Sequence, residues 1–134
     1  MNVSEALDIL KENGYKHTTK REMFLELFSN ERRYLTAKDV LEYMKPSYPG
    51  LSFDTIYRNL SVFTELGIVE ETELDGEKHF RFSCSTKGHH HHMICLQCGK
   101  TNAIEACPMK DITPDEFMIT DHKFEIYGYC QECQ

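Results

Sequence analysis

The sequence predicts an α+β protein of two small domains, and three observations lead to this fold class. Four stretches in the first half carry apolar side chains at helical spacing. Two further stretches then flank an Asp-Gly pair, which is typical of a tight β-hairpin turn. All six cysteines and five of the seven histidines lie at or after Cys84. This change in composition predicts domains at 1–83 and 89–134, joined by a hinge at 84–88.

The overall composition excludes several classes of protein. The 134 residues are 40% hydrophobic and 28% charged, which excludes a disordered or low-complexity chain. No apolar run approaches the roughly 20 residues that a membrane span requires. The first residues lack a basic segment followed by an apolar one, so we expect no signal peptide and a cytoplasmic location. In that compartment, cysteines serve as metal ligands or redox groups more often than as disulfides.

Capping residues mark the start of each helix predicted in the first domain. The expected caps are Ser4, Thr18 or Thr19, Thr36 and Ser52. Thr36 and Asp39 have the spacing of a capping box, although the acid is Asp rather than Glu. We expect the third helix at 36–45 and the fourth at 52–66.

Helices followed by a hairpin are the order of a winged helix-turn-helix. The hairpin strands are predicted at 68–73 and 78–83 and would form the wing, while the fourth helix would be the recognition helix. Helical spacing places Ile56, Leu60 and Phe63 on its buried face. The alternative to DNA binding is that the exposed face carries an ordinary packing residue and a solvated charge.

The predicted DNA contacts are few, because neither half of the chain is basic. Residues 1–83 hold 11 Lys and Arg against 15 Asp and Glu, a net charge of −4, and residues 84–134 hold 4 against 7, a net charge of −3. An arginine on a recognition helix can bind guanine through two hydrogen bonds, and a tyrosine ring can contact a thymine methyl. The candidates are Ser52, Thr55, Tyr57 and Arg58 on the fourth helix, with Lys16, His17 and Arg21 near the second.

Two Cys-x-x-Cys pairs predict a structural metal site in the second domain. Each pair can supply two thiolates from one tight turn, and two pairs complete a tetrahedral zinc site. The four predicted ligands are Cys95, Cys98, Cys130 and Cys133. The 31 residues between the pairs require another folded element between them, which we expect to include a strand at 123–129.

A run of four histidines predicts further metal binding. On a strand, His90 and His92 would share one face, where Cys84 and an acid such as Glu105 could complete a Zn²⁺ site. The alternative is a solvated polar strand beside a buried cysteine.

The opposite face of that strand would carry His89 and His91, which could form a third site with His122 and an acid such as Asp111. Exposed histidines without metal are the alternative there. Cys107, in an Ala-Cys-Pro sequence, is interpreted as a small apolar residue rather than a ligand.

Taken in order, these motifs resemble the ferric uptake regulator family over essentially the whole chain. The stretches that carry the resemblance are residues 14–18 with Arg21, 55–60, 89–92, 95–100 and the final cysteine pair. Within the family, the chain is most similar to the zinc uptake regulators of low-GC Gram-positive bacteria. The stretches that carry this closer likeness are residues 48–55, 77–82 and 105–108.

The resemblance implies a cytoplasmic homodimer that binds an AT-rich inverted-repeat operator and represses zinc-acquisition genes when zinc is bound. It implies a C-terminal α/β dimerisation domain with two Zn²⁺ per subunit and a third at the last histidine set. Cys95, Cys98, Cys130 and Cys133 match the family's structural ligands, and Cys84, His90, His92 and Glu105 match its sensing site. No enzymatic activity, small-molecule substrate or membrane partner is expected.

Two other functions remain open at this point. A sensor of another metal or of peroxide would keep the same fold, although Tyr34 stands where peroxide-sensing relatives have a histidine. A zinc hydrolase could instead use an open Cys/His/His site to activate water.

Overall fold

The computed structural model describes residues 1–83, 90–113 and 115–134, apart from the side chain of Lys110. The chain forms two compact units, Met1–Thr86 and Lys87–Gln134. The division falls within the predicted hinge, 84–88. Cys84, His89 and the hinge lie outside the described residues, so their roles stay predictions.

The first unit contains the predicted helices followed by the predicted hairpin. Its helices are α1 (Val3–Glu12), α2 (Thr19–Asn30), α3 (Ala37–Met44) and α4 (Phe53–Glu65), and its strands are β1 (Leu35–Thr36), β2 (Val69–Leu74) and β3 (Glu77–Phe82).

Three of the four helix caps are confirmed. Thr18 caps α2, Thr36 and Asp39 form the capping box of α3, and Ser52 caps α4. The assignment of Ser4 to α1 is wrong, because the helix begins earlier and the Asn2 side chain accepts a hydrogen bond from the Glu5 backbone N–H at 2.8 Å. Asparagine caps helices as well as serine does, so Asn2, two residues before Ser4, is the cap of α1.

The hairpin is part of a three-stranded sheet in the order β1-β3-β2. Asp75 and Gly76 both have positive φ, at 52° and 79°, as a tight type I′ turn requires. Strand β1 was not predicted, because two residues are too few to show alternation. Its pairing of Leu35 with Phe80 joins the segment before α3 to the wing.

One hydrophobic core holds the first unit together. Phe24 of α2 meets Phe63 of α4 edge to face, with ring centroids 5.9 Å apart. Phe28 stacks on Phe82 of the wing at 6.1 Å. These contacts anchor α4 and the β2–β3 hairpin to the same helix, α2.

The second unit is built on a three-stranded sheet. Its strands are β4 (His91–Cys95), β5 (Thr101–Ile104) and β6 (Glu125–Gly128), in the order β5-β4-β6. Strand β5 runs antiparallel to β4, whereas β6 runs parallel to it. The helical elements among this unit's described residues are two 3-10 turns, Pro108–Asp111 and Gln131–Cys133. Within the described ranges, no helix is long and apolar enough to cross a membrane.

We predict that Leu60→Ala destabilises the first unit by about 2–5 kcal/mol, because Leu60 is fully buried and the truncation leaves a cavity. The measurement is the free energy of unfolding in urea. Ser61→Ala is the matched control, since Ser61 lies on the exposed face one residue away. Equal stability of the two variants would contradict the placement of α4 in the core.

Candidate metal centre and nucleic-acid interface

The two cysteine pairs approach each other because β4 and β6 are parallel. Cys95 ends β4 and pairs with Gly128 at the end of β6. Both strands therefore deliver the chain to the same edge of the sheet, where the turns that carry the cysteine pairs begin. Each turn is closed by a backbone hydrogen bond, from Gly99 to Cys95 at 3.0 Å and from Cys133 to Cys130 at 2.9 Å. The folded part of the chain between the two cysteine pairs thus consists of β5, the segment that follows it, and β6.

The geometry of the four sulfur atoms fits a zinc ion. All four lie within 4.8 Å of one another. The Cys98 and Cys130 sulfurs are 3.7 Å apart. A tetrahedral zinc with Zn–S bonds of about 2.3 Å has sulfur–sulfur edges of about 3.8 Å. The same distance is far longer than a disulfide bond of about 2.05 Å.

Hydrogen bonds within the four-cysteine cluster give its thiols unequal pKa values. Backbone N–H groups of Cys98 and Cys130 donate hydrogen bonds to the Cys95 sulfur and lower the pKa of that thiol to about 6. The Cys133 thiol shows the opposite shift. Its hydrogen bond with the Cys130 sulfur and, to a smaller extent, its desolvation raise its pKa to about 12. Since zinc binds thiolates, its affinity for the site falls as pH falls.

A second cluster of metal-binding atoms lies in the same unit. It consists of His91 on β4, Cys107 and His122, whose ligand atoms all lie within 4.8 Å of one another. The Cys107 sulfur is 3.5 Å from His122 Nε2, and the two imidazole rings have centroids 5.1 Å apart. The structure thus brings together His91 and His122 of the predicted third set. Among the described residues Asp111 is not part of this cluster, and Cys107 takes its place.

Three of the four predicted regulatory ligands lie in the part of the chain that the structure describes, whereas Cys84 lies outside it. His92 is 7% exposed and lies on β4 opposite Ala103 of β5. His90 and Glu105 are exposed, just before β4 and just after β5. This set therefore remains a prediction from the sequence.

The recognition helix presents the face that its periodicity predicts. Ile56, Leu60 and Phe63 are fully buried. On the other side Tyr57 is 45% exposed and Arg58 is exposed. The rings of Phe53 and Tyr57 lie 6.5 Å apart, so the tyrosine leans toward the N-terminal end of the helix. Ser52 is exposed beside half-buried Thr55, and their hydroxyl oxygens are 3.2 Å apart.

The predicted contacts near α2 differ in their surroundings. Lys16 and His17 are exposed, although His17 Nε2 lies 2.8 Å from a Glu22 carboxylate oxygen. Arg21 is half-buried and donates hydrogen bonds to the Lys16 carbonyl at 2.7 Å and to the Asn59 side chain at 3.4 Å. Arg21 therefore connects the segment before α2 to the recognition helix, a role that its spacing in the sequence did not indicate.

A winged helix-turn-helix joined to a metal-binding unit defines a class: the metal-responsive DNA-binding regulators. Residues 12–128 match the ferric uptake regulator family, and the chain belongs to that family. Two similar relatives are the ferric uptake regulation proteins of Staphylococcus epidermidis and Staphylococcus aureus. Each is 51% identical over 136 aligned positions that cover 100% of this chain, and 97% and 99% of the respective relative. Members of the family are homodimeric DNA-binding regulators rather than enzymes.

Solved structures agree with the fold. The Helicobacter pylori ferric uptake regulator has a TM-score of 0.73 at 20% identity, over 99% of this chain and 94% of that one. The Vibrio cholerae ferric uptake regulator has a TM-score of 0.67 at 27% identity, over 92% and 98% of the two chains. The α+β fold with a four-cysteine cluster is therefore confirmed.

We predict that Cys98→Ser lowers the zinc content of the protein by about one equivalent per chain and makes the second unit unfold at lower temperature. A structural zinc contributes directly to the folding of a small domain, and removing one thiolate opens its coordination shell. Metal analysis and thermal unfolding measure the two effects.

The control is Gln97→Ala, which changes an exposed residue of the same turn without removing a ligand. Full zinc content in the Cys98→Ser protein would contradict a four-thiolate site.

Proposed function

We propose that this protein is a zinc-responsive transcriptional repressor of the zinc uptake regulator type. In this proposal the zinc-bound homodimer acts in the cytoplasm, binds an AT-rich inverted-repeat operator and represses genes for zinc acquisition. Each subunit holds a structural zinc at the four cysteines and a regulatory zinc at Cys84, His90, His92 and Glu105.

The observation that carries the choice of zinc is the sulfur content of the metal clusters. Besides the four-cysteine structural site, the second cluster in the described part of the chain also includes a cysteine, Cys107. Thiolates favour Zn²⁺, whereas carboxylate, carbonyl and water ligands suit Mn²⁺. The regulatory set, which rests on the sequence, would add a further thiolate from Cys84.

Tyr34 supports the same choice. This residue stands where the peroxide-sensing relatives described above have a histidine, and it is only 4% exposed. Its ring lies 5.9 Å from the guanidinium carbon of Arg81 in the wing. The side chain thus has a packing role in the first unit and supplies no imidazole.

An iron-responsive regulator is the second candidate, and the names of the staphylococcal relatives favour it. Both are called ferric uptake regulation proteins and are 51% identical to this chain. Donor chemistry and relatives' names thus point to different metals, which a direct comparison of metals can separate.

The test is a fluorescence-anisotropy titration of the protein, holding only its structural zinc, onto an AT-rich inverted repeat. Buffered Zn²⁺, Mn²⁺ and Fe²⁺ are supplied in separate experiments. We expect Zn²⁺ alone to tighten operator binding by a factor of about a hundred, which corresponds to about 3 kcal/mol, because zinc would raise the fraction of the DNA-competent state. Tightening by Fe²⁺ or Mn²⁺ instead would assign the chain to another branch of its family.

Cys84→Ser is the variant that tests the regulatory set. It should keep its structural zinc and lose the response of operator binding to added Zn²⁺. A normal zinc response in this variant would refute the proposed regulatory ligands.

We predict that Arg58→Ala weakens binding of the zinc-loaded protein to its operator by about 1–3 kcal/mol, because the side chain is exposed on the recognition helix and would bind a base edge. The loss should be larger for the operator than for unrelated DNA. Arg32→Ala, which removes the same charge from an exposed position outside α4, is the control. Unaltered operator binding by Arg58→Ala would show that α4 is not the reading element.

A further inference from the structure

We propose that Cys107 is a thiolate ligand in a zinc site that it forms with His91 and His122, separate from the four-cysteine site. The proposal rests on the proposed function only for the choice of zinc as the metal. It changes the interpretation of the sequence, in which Cys107 is a small apolar residue and Asp111 completes the third site.

The three ligands come from three separate segments of the second unit. His91 begins β4, Cys107 immediately precedes the 3-10 turn Pro108–Asp111, and His122 lies three residues before β6. No regular spacing in the sequence connects these positions. They meet because β6 lies beside β4 and pairs His92 with Glu125, which brings the segment before β6 alongside the start of β4.

The distance between the Cys107 sulfur and His122 suits a shared metal ion. A tetrahedral zinc with a Zn–S bond of about 2.3 Å and a Zn–N bond of about 2.05 Å has a sulfur–nitrogen edge of about 3.6 Å. The Cys107 sulfur is 3.5 Å from His122 Nε2. A thiol–imidazole hydrogen bond would also account for this pair. That hydrogen bond involves only two residues, whereas a ring nitrogen of His91 also lies within 4.8 Å of a ligand atom of each.

The His91 imidazole is held in place by its surroundings. His91 is 6% exposed, and its ring packs edge to face against Phe124 at 5.5 Å. The half-buried His122 ring lies beside it, with the two ring centroids 5.1 Å apart. Ligands ordered before the metal arrives lose little conformational freedom on binding it.

The donor set specifies the class of metal. One thiolate and two imidazoles are typical zinc ligands, and the thiolate disfavours Mn²⁺. Three protein ligands leave one tetrahedral position for water or for a further ligand. The ion would connect the start of β4 to both ends of the 108–121 segment, so zinc would link the parts of the unit that the sheet itself leaves unpaired.

The experiment counts zinc equivalents bound by the full-length protein against a competing chelator. Cys107→Ser should lose one equivalent, with affinity at that site reduced by more than about 100-fold, because even residues outside the coordination shell typically account for about 10–100-fold. His122→Gln should lose the same equivalent, and it tests the site from another segment should Cys107→Ser misfold. Asp111→Asn is the matched control and should bind as the wild type does.

Co²⁺ absorption provides a second measurement, which would not change if Cys107 had only a structural role. Co²⁺ is added to protein whose four-cysteine site keeps its zinc, in a Cys84→Ser background. A thiolate-to-cobalt charge-transfer band should then depend on Cys107 and disappear in the Cys107→Ser double variant. An unchanged band and full zinc equivalents in the Cys107 variants would overturn the proposal, and a loss in Asp111→Asn alone would restore the acid as ligand.

The two proposals can fail independently of each other. If Zn²⁺ tightens operator binding but Cys107→Ser binds zinc normally, only this site is refuted. If Cys107→Ser loses its equivalent while Fe²⁺ controls operator binding, the site stands and the zinc-responsive function is refuted.

Discussion

The parallel pairing of β4 with β6 is the constraint on which the metal chemistry of this protein depends. It sets Cys95 beside Gly128, so that both cysteine pairs leave the sheet at one edge. It also brings His122 to His91 at the other end of the same strands. One strand pairing therefore positions both clusters of metal-binding side chains. A shift of its register by one residue would turn these side chains to the opposite face of the sheet and separate the ligands of each cluster.

The first unit depends on a different kind of constraint, the burial of aromatic rings. Phe24 and Phe28, four residues apart on α2, contact Phe63 of α4 and Phe82 of the wing. The reading helix and the hairpin are thus fixed to one helix. Arg21 adds a polar link on the same helix through Asn59. Polar contacts of this kind would orient the proposed DNA-binding face, which the net charge of the domain does not itself favour.

Much of the fold could be predicted because it depends on local signals. The signals that predicted α2 to α4 and the hairpin each span only a few consecutive residues. They are the capping residues, the Asp-Gly turn and the apolar stripe of each helix. The four-cysteine site was predictable for the same reason. The cluster at Cys107 was not, because its members share no period and meet only through β6. Strand β1 was missed because two residues carry no pattern.

The relatives' names and the donor atoms favour different metals, and the case for zinc is a physical one. Affinity for divalent metals follows a general order in which Zn²⁺ exceeds Fe²⁺ and Mn²⁺, so a sensor of the weaker-binding ions needs hard ligands and a geometry that zinc does not prefer. Here the cluster outside the four-cysteine site supplies one sulfur and two imidazoles, which are typical zinc ligands. A thiolate-containing sensing site tuned to iron would have to exclude zinc by its shape, which is the physical reason that the proposed function favours zinc. Donor chemistry thus supports zinc in the proposed function, a name shared at 51% identity supports iron, and the metal titration decides between them.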